Sequence, residues 1–141
     1  MEQRQESGSL FYALQRLASD THKYIDQMLL ERLGIGVSQL RILHVVQSLD
    51  SAGQRAIGTK LGQTEASISR QIKVLTQKGL VQTRINPKNQ RERLVSITAK
   101  GTRLTEVADT DLDRSMQAVL QPLSPKQQKQ LGELLNMLRK S

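Results

Sequence analysis

The stretch TEASISRQIKVLTQKGLV, residues 64–81, combines a regular apolar spacing with a basic, hydroxyl-bearing face. Ile68, Ile72 and Leu75 recur at four- and three-residue steps, which predicts the buried side of an amphipathic helix, and Thr64 suits its N-cap. The opposite side is predicted to expose Ala66, Ser69, Arg70, Lys73 and Gln77, with Ser67 at its edge. A helix that enters the major groove of DNA needs such small, hydroxyl-bearing and basic residues. Because any surface helix has a polar outer face, a merely solvated surface stays open as the alternative.

The positive charge of the chain is concentrated around this helix. The 141 residues include 21 Lys+Arg and 13 Asp+Glu, a formal net charge of +8. Residues 54–103 hold 11 Lys+Arg and 2 Asp+Glu, a net +9, which leaves 10 and 11, a net −1, for the remainder. Such clustering is typical of a surface that binds a polyanion and releases its counterions. A basic surface without a partner is the other interpretation.

Composition excludes several classes of function. With no cysteine, the chain can form neither disulfides nor zinc–thiolate sites, and it has no thiol nucleophile. It shows no nucleotide-binding glycine loop, HExxH motif or serine elbow, so we predict neither an enzyme nor a cofactor. No stretch approaches the ~20 apolar residues of a membrane span, and the N-terminus lacks a signal-peptide core. We therefore expect a soluble, cytoplasmic protein.

A hairpin is predicted after the basic helix, and a short helix before it. Apolar and polar residues alternate over 81–85 and 94–98, which predicts two strands. The segment NPKNQRE between them supplies a turn and carries Lys88 and Arg91. Before the basic helix, Ile57 and its neighbours suit a short helix that ends in a Gly-Gln turn. Together these elements predict a winged helix whose wing reaches a phosphate or a narrow minor groove, a solvated hairpin being the alternative.

Amphipathic helices flank this centre on both sides. Residues 10–33 have apolar residues at helical spacing, and Ser38 is predicted to cap the next helix. Thr98 is predicted to cap a long helix after the wing. Ser124 opens a last helix through a capping box, and this helix carries a stripe formed by Leu131, Leu134, Leu135 and Leu138. A second copy of the chain is the simplest cover for these apolar stripes, with packing inside a monomer as the alternative.

The stretch IGTKLGQTEASISRQIKVLTQKGLVQTRINPKNQRERLVSITAKG, residues 57–101, resembles the winged helix–turn–helix core of the MarR family of bacterial and archaeal transcriptional regulators. The resemblance implies a mainly α fold with a small β-hairpin wing, in a single domain over residues 1–141. Residues 38–101 would form the DNA-binding lobe, and residues 10–33 and 102–139 the dimerisation helices. It also implies a homodimer on a pseudo-palindromic operator, typically a repressor released by a small aromatic or phenolic ligand. The residues implied in DNA contact are Thr64, Ser67, Ser69, Arg70, Lys73, Lys88 and Arg91.

Two positions depart from the family pattern. The wing of the family usually carries an Asp-x-Arg pair whose aspartate helps to hold the arginine, but the matching triplet here is Asn89-Gln90-Arg91. Asparagine accepts a hydrogen bond but offers no charge. Gly58 stands where the family often has alanine, and in a helix a glycine costs ~1 kcal/mol relative to alanine.

The resemblance places a small-molecule pocket between the first helices and the lobe, with Tyr12, Arg16, Arg41 and His44 as candidate residues. Aromatic residues in a first helix more often belong to a dimer core than to a pocket. The family also has a zinc-sensing branch, but with two histidines and no cysteine we predict no metal site.

Two other binding classes can be compared with a sequence-specific regulator. A single-strand or RNA binder would interleave aromatic residues with its basic ones, and residues 54–103 contain none. A non-specific architectural dimer that bends or coats DNA without ligand control remains the alternative function.

Overall fold

The computed structural model describes residues 2–140, and side chains from Glu6 onward. Six helices and three short strands make up this part of the chain, which confirms the predicted mainly α fold with a β wing. The elements are α1 (Glu2–Leu33), α2 (Val37–Ser48), β1 (Ala52–Gly53), α3 (Gln54–Leu61), α4 (Glu65–Gln77), β2 (Val81–Asn86), β3 (Asn89–Ile97), α5 (Ala99–Leu120) and α6 (Pro125–Arg139).

The three strands form one antiparallel sheet in the order β1-β3-β2. Asn86 pairs with Asn89, so a two-residue turn joins β2 to β3 and the predicted hairpin is confirmed. Strand β3 begins at Asn89 rather than near residue 94, because residues 89–93 are polar and show no apolar alternation, so most of the predicted turn is strand. Strand β1 was not predicted, because its two residues are too few to show a period of two. It pairs with Leu94 and Val95 on the other edge of β3 and fixes the base of the wing to the start of α3.

The core lies between the helix–turn–helix and the first two helices. Ile68, Ile72 and Leu75 of α4 are buried, which confirms the apolar face predicted for this helix. They belong to one cluster with Leu29 of α1 and Leu43 of α2, among other buried residues. The apolar face of α4 is therefore packed against the core, and its polar face is exposed.

Side-chain caps begin most of the helices. Thr64, Thr98 and Ser124 each accept a backbone N–H three residues ahead, as predicted. The predicted cap at Ser38 is wrong: α2 begins at Val37, whose N–H donates to Oδ1 of Asp26 at 2.9 Å. The acceptor comes from α1, a contact made by folding rather than by local sequence.

Helix α1 differs from its predicted bounds, whereas α5 begins directly after its predicted cap, Thr98. Helix α1 begins at Glu2 rather than near residue 10, because its first residues are good helix formers although they lack an apolar period. Helix α5 begins at Ala99 and includes Gly101, where a Cβ would overlap the carbonyl oxygen of Leu80. Within residues 2–140, no helix has both the length and the apolar character needed to cross a membrane.

Large apolar side chains remain exposed on the outer faces of α1 and α6. Tyr12 and Leu10 are 70% and 63% exposed, and Met137 and Leu138 are 69% and 64% exposed. No residue of α6 is buried. A single chain therefore leaves the stripe of α6 and the first half of the α1 stripe open to solvent, whereas Ile25 and Leu29 of α1 are buried in the core.

Candidate nucleic-acid interface

Helix α4 presents its polar face to solvent, and the turn after α3 and the core position the helix. Helix α3 ends at Gly62, which adopts the left-handed conformation at φ 65° that reverses the chain toward α4. The structure confirms the orientation predicted for the outer face of α4. Its exposed residues include Ala66, Ser69, Arg70, Lys73 and Gln77, and Ser67 is half-buried at the edge.

Two of the predicted DNA-contacting hydroxyls have local partners. The Oγ1 atom of Thr64 accepts the N–H of Ser67 at 3.2 Å, and the Oγ atom of Ser67 donates to Oε1 of Gln63 at 3.4 Å. These hydrogen bonds fix the first turn of α4. Ser69 and Arg70, one turn further on, extend from the helix with their side chains exposed.

The glycine at position 58 allows α3 to approach the turn closely. A Cβ at Gly58 would lie 2.7 Å from the carbonyl oxygen of Gln63 and 3.6 Å from Cγ1 of Ile68. The Gln63 N–H also donates to the Gly58 carbonyl at 2.9 Å. This departure from the family's alanine therefore accompanies a turn that leaves no room for a methyl group.

A polar cleft of about 540 Å³ lies between the start of α4 and the wing. It brings together Ser69 and Arg91, two of the predicted residues, with Arg55 and Arg93, which sequence reasoning missed. The central charge cluster was the available signal for both missed arginines. Arg93 also shares a strand face with Arg91 because side chains alternate along β3.

The remaining predicted residues lie outside the cleft lining. Arg70 and Lys73 lie further along the exposed face of α4. Lys88 lies in the turn at the tip of the wing, where its N–H donates to Oδ1 of Asn86 at 3.0 Å. The basic groups of the cleft lining thus come from the wing and from Arg55 of α3, and those of α4 lie further along the helix.

Asn89, which replaces the family's aspartate, shapes the wing backbone. Its Oδ1 accepts the backbone N–H of Arg91 at 3.2 Å, an arrangement typical of an Asx-turn. A neutral amide is sufficient for this hydrogen bond. The asparagine therefore positions the arginine through its main chain.

Lys78 has an internal role at the far end of α4. Its Nζ donates to the carbonyl oxygen of Gly34, which follows α1. The carbonyl of Lys78 in turn accepts Nζ of Lys100, at 2.9 Å, from the first turn of α5. Two of the basic residues in the central segment thus link α4 to the terminal helices.

The cleft also contains both acidic residues of the central segment, Glu65 and Glu92. Nε of Arg55 lies 3.8 Å from Oε2 of Glu65, and both side chains are mostly exposed, so this pair contributes little to stability. Glu65 also lies in the first turn of α4, where the helix dipole favours a negative charge.

The four predicted ligand residues are not gathered into one site. Tyr12 and Arg16 are exposed on α1, and Arg16 pairs with Asp20 at 3.8 Å. Arg41 is exposed on α2, whereas Nε2 of His44 lies 2.8 Å from Oδ1 of Asp109 on α5.

An apolar groove of about 430 Å³ lies elsewhere between the terminal helices, and none of those four residues lines it. The groove is lined by Leu14, Leu17, Ala18, Thr21, His22, Ile25, Val37, Leu112, Met116 and Leu135. Within the described part of the chain, no three His, Asp or Glu side chains are grouped so that they could hold a metal ion.

Comparison with known proteins gives one family. The MarR family model matches residues 33–92. The uncharacterized HTH-type transcriptional regulator YdgJ of Bacillus subtilis (strain 168) is 27% identical over 134 residues, which cover 95% of this chain and 79% of that protein.

Solved structures show the same fold over most of the chain. BldR from Sulfolobus solfataricus is 20% identical, covers 100% of both chains and has a TM-score of 0.82. A MepR–DNA complex from S. aureus is 22% identical with a TM-score of 0.76, over 92% of this chain and 96% of that one. A mutant MarR from E. coli complexed with operator DNA is 22% identical with a TM-score of 0.75, over 89% and 93% of the two chains. The resemblance predicted from residues 57–101 is thereby confirmed: the MarR family model matches residues 33–92, and the chain shares the fold of these solved structures.

Proposed function

We propose that this chain is a homodimeric transcriptional regulator that binds double-stranded DNA of a specific sequence. One observation carries the proposal: Ser69 of the exposed α4 face, Arg55 of α3 and the arginines of the wing line a common cleft within the segment that holds the chain's excess positive charge. Similarity to MepR and MarR, both solved with DNA, supports the same assignment.

The geometry indicates a division of roles between helix and wing. Ser69, Arg70 and Lys73 would lie in the major groove, with Thr64 and Ser67 setting the depth of entry of the helix. Arg91 and Lys88 would contact the neighbouring backbone or minor groove from the wing. Arginine can read a guanine bidentately, which makes Arg70 the first candidate for base recognition.

The exposed apolar faces of α1 and α6 support the homodimer. Leu135 and Leu138 are 46% and 64% exposed in the single chain, and a second copy would cover them. Two-fold symmetry would place the two half-sites about 10 bp apart, centre to centre. Sedimentation velocity should give a dimer, and Leu138→Glu should shift it toward monomer. A monomeric wild type would contradict the dimer.

Titration of labelled nucleic acids tests the binding class. Fluorescence anisotropy should show that duplex DNA binds at least about tenfold more tightly than single-stranded DNA or double-stranded RNA of the same sequence. Arg70→Ala should weaken binding by ~1–3 kcal/mol and relax base preference at one position if Arg70 reads a base. Absence of duplex binding would contradict the proposal outright.

Release by a small ligand is part of the proposal, with its site moved to the apolar groove. The groove offers an apolar lining with Thr21 and His22 as polar groups, a combination typical of small-molecule sites. A phenolic ligand should raise the melting temperature and weaken DNA binding, and Leu17→Trp, which fills the groove, should abolish both effects. If no member of a phenolic panel changes either quantity, release by a phenolic ligand is refuted.

A further inference from the structure

Glu92 occupies an unusual position for an acidic residue in a basic surface. It is one of only two carboxylates among the 13 Asp and Glu residues that lie in the central segment 54–103, and it lines the cleft beside Arg91 and Arg93. A carboxylate at a surface that faces phosphates repels them. A physical role other than DNA contact is therefore needed to account for Glu92.

The Glu92 side chain extends from the central strand of the sheet toward both neighbouring strands. Its Oε2 accepts Nδ2 of Asn86, the last residue of β2, at 2.9 Å. Its Oε1 lies so close to Gly53 of β1 that a Cβ at Gly53 would overlap it. The carboxylate is half-buried between these two contacts.

The same carboxylate lies at the start of α3. Gly53 is the N-cap of this helix and provides no side chain to bind the first N–H groups. A negative charge next to a helix N-terminus is stabilised by the helix dipole. Glu92 therefore joins three elements: the end of β2, the strand β3 that carries Arg91 and Arg93, and the β1–α3 junction.

We propose that Glu92 is the residue that anchors the wing and so positions Arg91 and Arg93 for DNA. Glu92 is a positioning residue, since its contacts lie within the protein. The part of this inference that concerns DNA rests on the proposed function.

Glu92 could anchor the wing, or it could act only as a charge that repels phosphates. The two roles predict opposite changes in DNA affinity when Glu92 is replaced. If Glu92 anchors the wing, Glu92→Ala should weaken binding to the selected duplex by about five- to tenfold, although it removes a repulsive charge. Glu92→Gln retains an oxygen that accepts from Asn86 and should bind at least as tightly as wild type. Asn86→Ala removes this donor and also the acceptor of the Lys88 N–H, so it should weaken binding at least as much as Glu92→Ala. Glu106→Ala, which removes an exposed acid on α5, is the control for net charge.

The free protein provides a readout that does not depend on DNA. Backbone ¹⁵N order parameters of residues 88–91 should fall in Glu92→Ala and stay near wild-type values in Glu92→Gln. Unchanged order parameters together with tighter DNA binding by both variants would overturn the anchor. Failure of wild type to bind duplex DNA would instead contradict the proposed function, and the order parameters alone would then decide on the anchor.

Discussion

Replacement by glutamine should have different effects on DNA binding at Lys73, in α4, and at Lys78, the residue that follows α4. Lys73 is exposed on the outer face of α4, whereas Nζ of Lys78 donates to the carbonyl oxygen of Gly34. We therefore expect Lys73→Gln to remove a DNA phosphate contact. Lys78→Gln should leave the phosphate contacts intact and cost ~1 kcal/mol of folding stability through the lost hydrogen bond.

The expected change in the salt dependence of DNA affinity follows from counterion release. Each phosphate contact contributes about 0.9 to the slope of log K against log salt, hence about 1.8 for two lobes. Over a fourfold rise in salt, from about 50 to 200 mM, two contacts account for roughly a tenfold loss of affinity. Lys73→Gln should lose that much less affinity over this range than wild type does.

Anisotropy titrations at four salt concentrations measure these slopes directly. Wild type and Lys78→Gln should give parallel lines, and Lys73→Gln a shallower one. A slope reduced equally by the two substitutions would refute the internal role assigned to Lys78. Circular dichroism melting of each variant provides the control for folding.

Three further predictions concern the support of the interface. Gly58→Ala should destabilise the fold by ~1–2 kcal/mol because its methyl group meets a backbone carbonyl, whereas Gly132→Ala, in open space, should gain up to ~1 kcal/mol; equal gains in urea unfolding would refute the close approach. Arg32→Ala should cost more than Asp111→Ala, because Nε of Arg32 pairs at 3.0 Å with a carboxylate only 6% exposed; the reverse order in thermal melts would contradict this. Ile72→Ala should cost ~2–5 kcal/mol and abolish DNA binding at temperatures where wild type still binds; a loss under ~1 kcal/mol would show that α4 is not packed as described.

Local signals in the sequence were sufficient for much of the fold. The caps at Thr64 and Ser124 depend on residues at most three positions away, so a short stretch contains the whole interaction. The apolar face of α4 follows from spacing alone, because Ile68, Ile72 and Leu75 must share one side of any helix.

Contacts between distant residues were beyond the same reasoning. The cap of α2 comes from Asp26, eleven positions before the N–H that it accepts, and so Ser38 was the wrong residue. Strand β1 exists because β3 has a free edge at Leu94 and Val95. A sequence pattern contains no information about either partner.

The positive charge of the candidate site could be predicted from the sequence. Which basic residue lines the cleft, and which one makes an internal contact, could not. Clustering of Lys and Arg indicated the segment that contains the cleft, and Ser69 and Arg91 line it. The cluster could not show that Lys78 donates to a carbonyl oxygen. Nor could it show that Arg55, which precedes α4, lines the cleft together with Ser69 and Arg91. Those assignments depend on where the chain turns, at Gly62 and at the tip of the wing.

The most direct test of the account compares two duplexes at physiological salt. One is the sequence enriched from a random pool by repeated selection on the protein, and the other is the same sequence shuffled. Sequence-specific recognition by a dimer predicts that an inverted repeat is enriched and that it binds about 10³-fold or more tightly than the shuffled duplex. Equal affinities for the two duplexes would contradict sequence-specific recognition and leave a non-specific architectural protein.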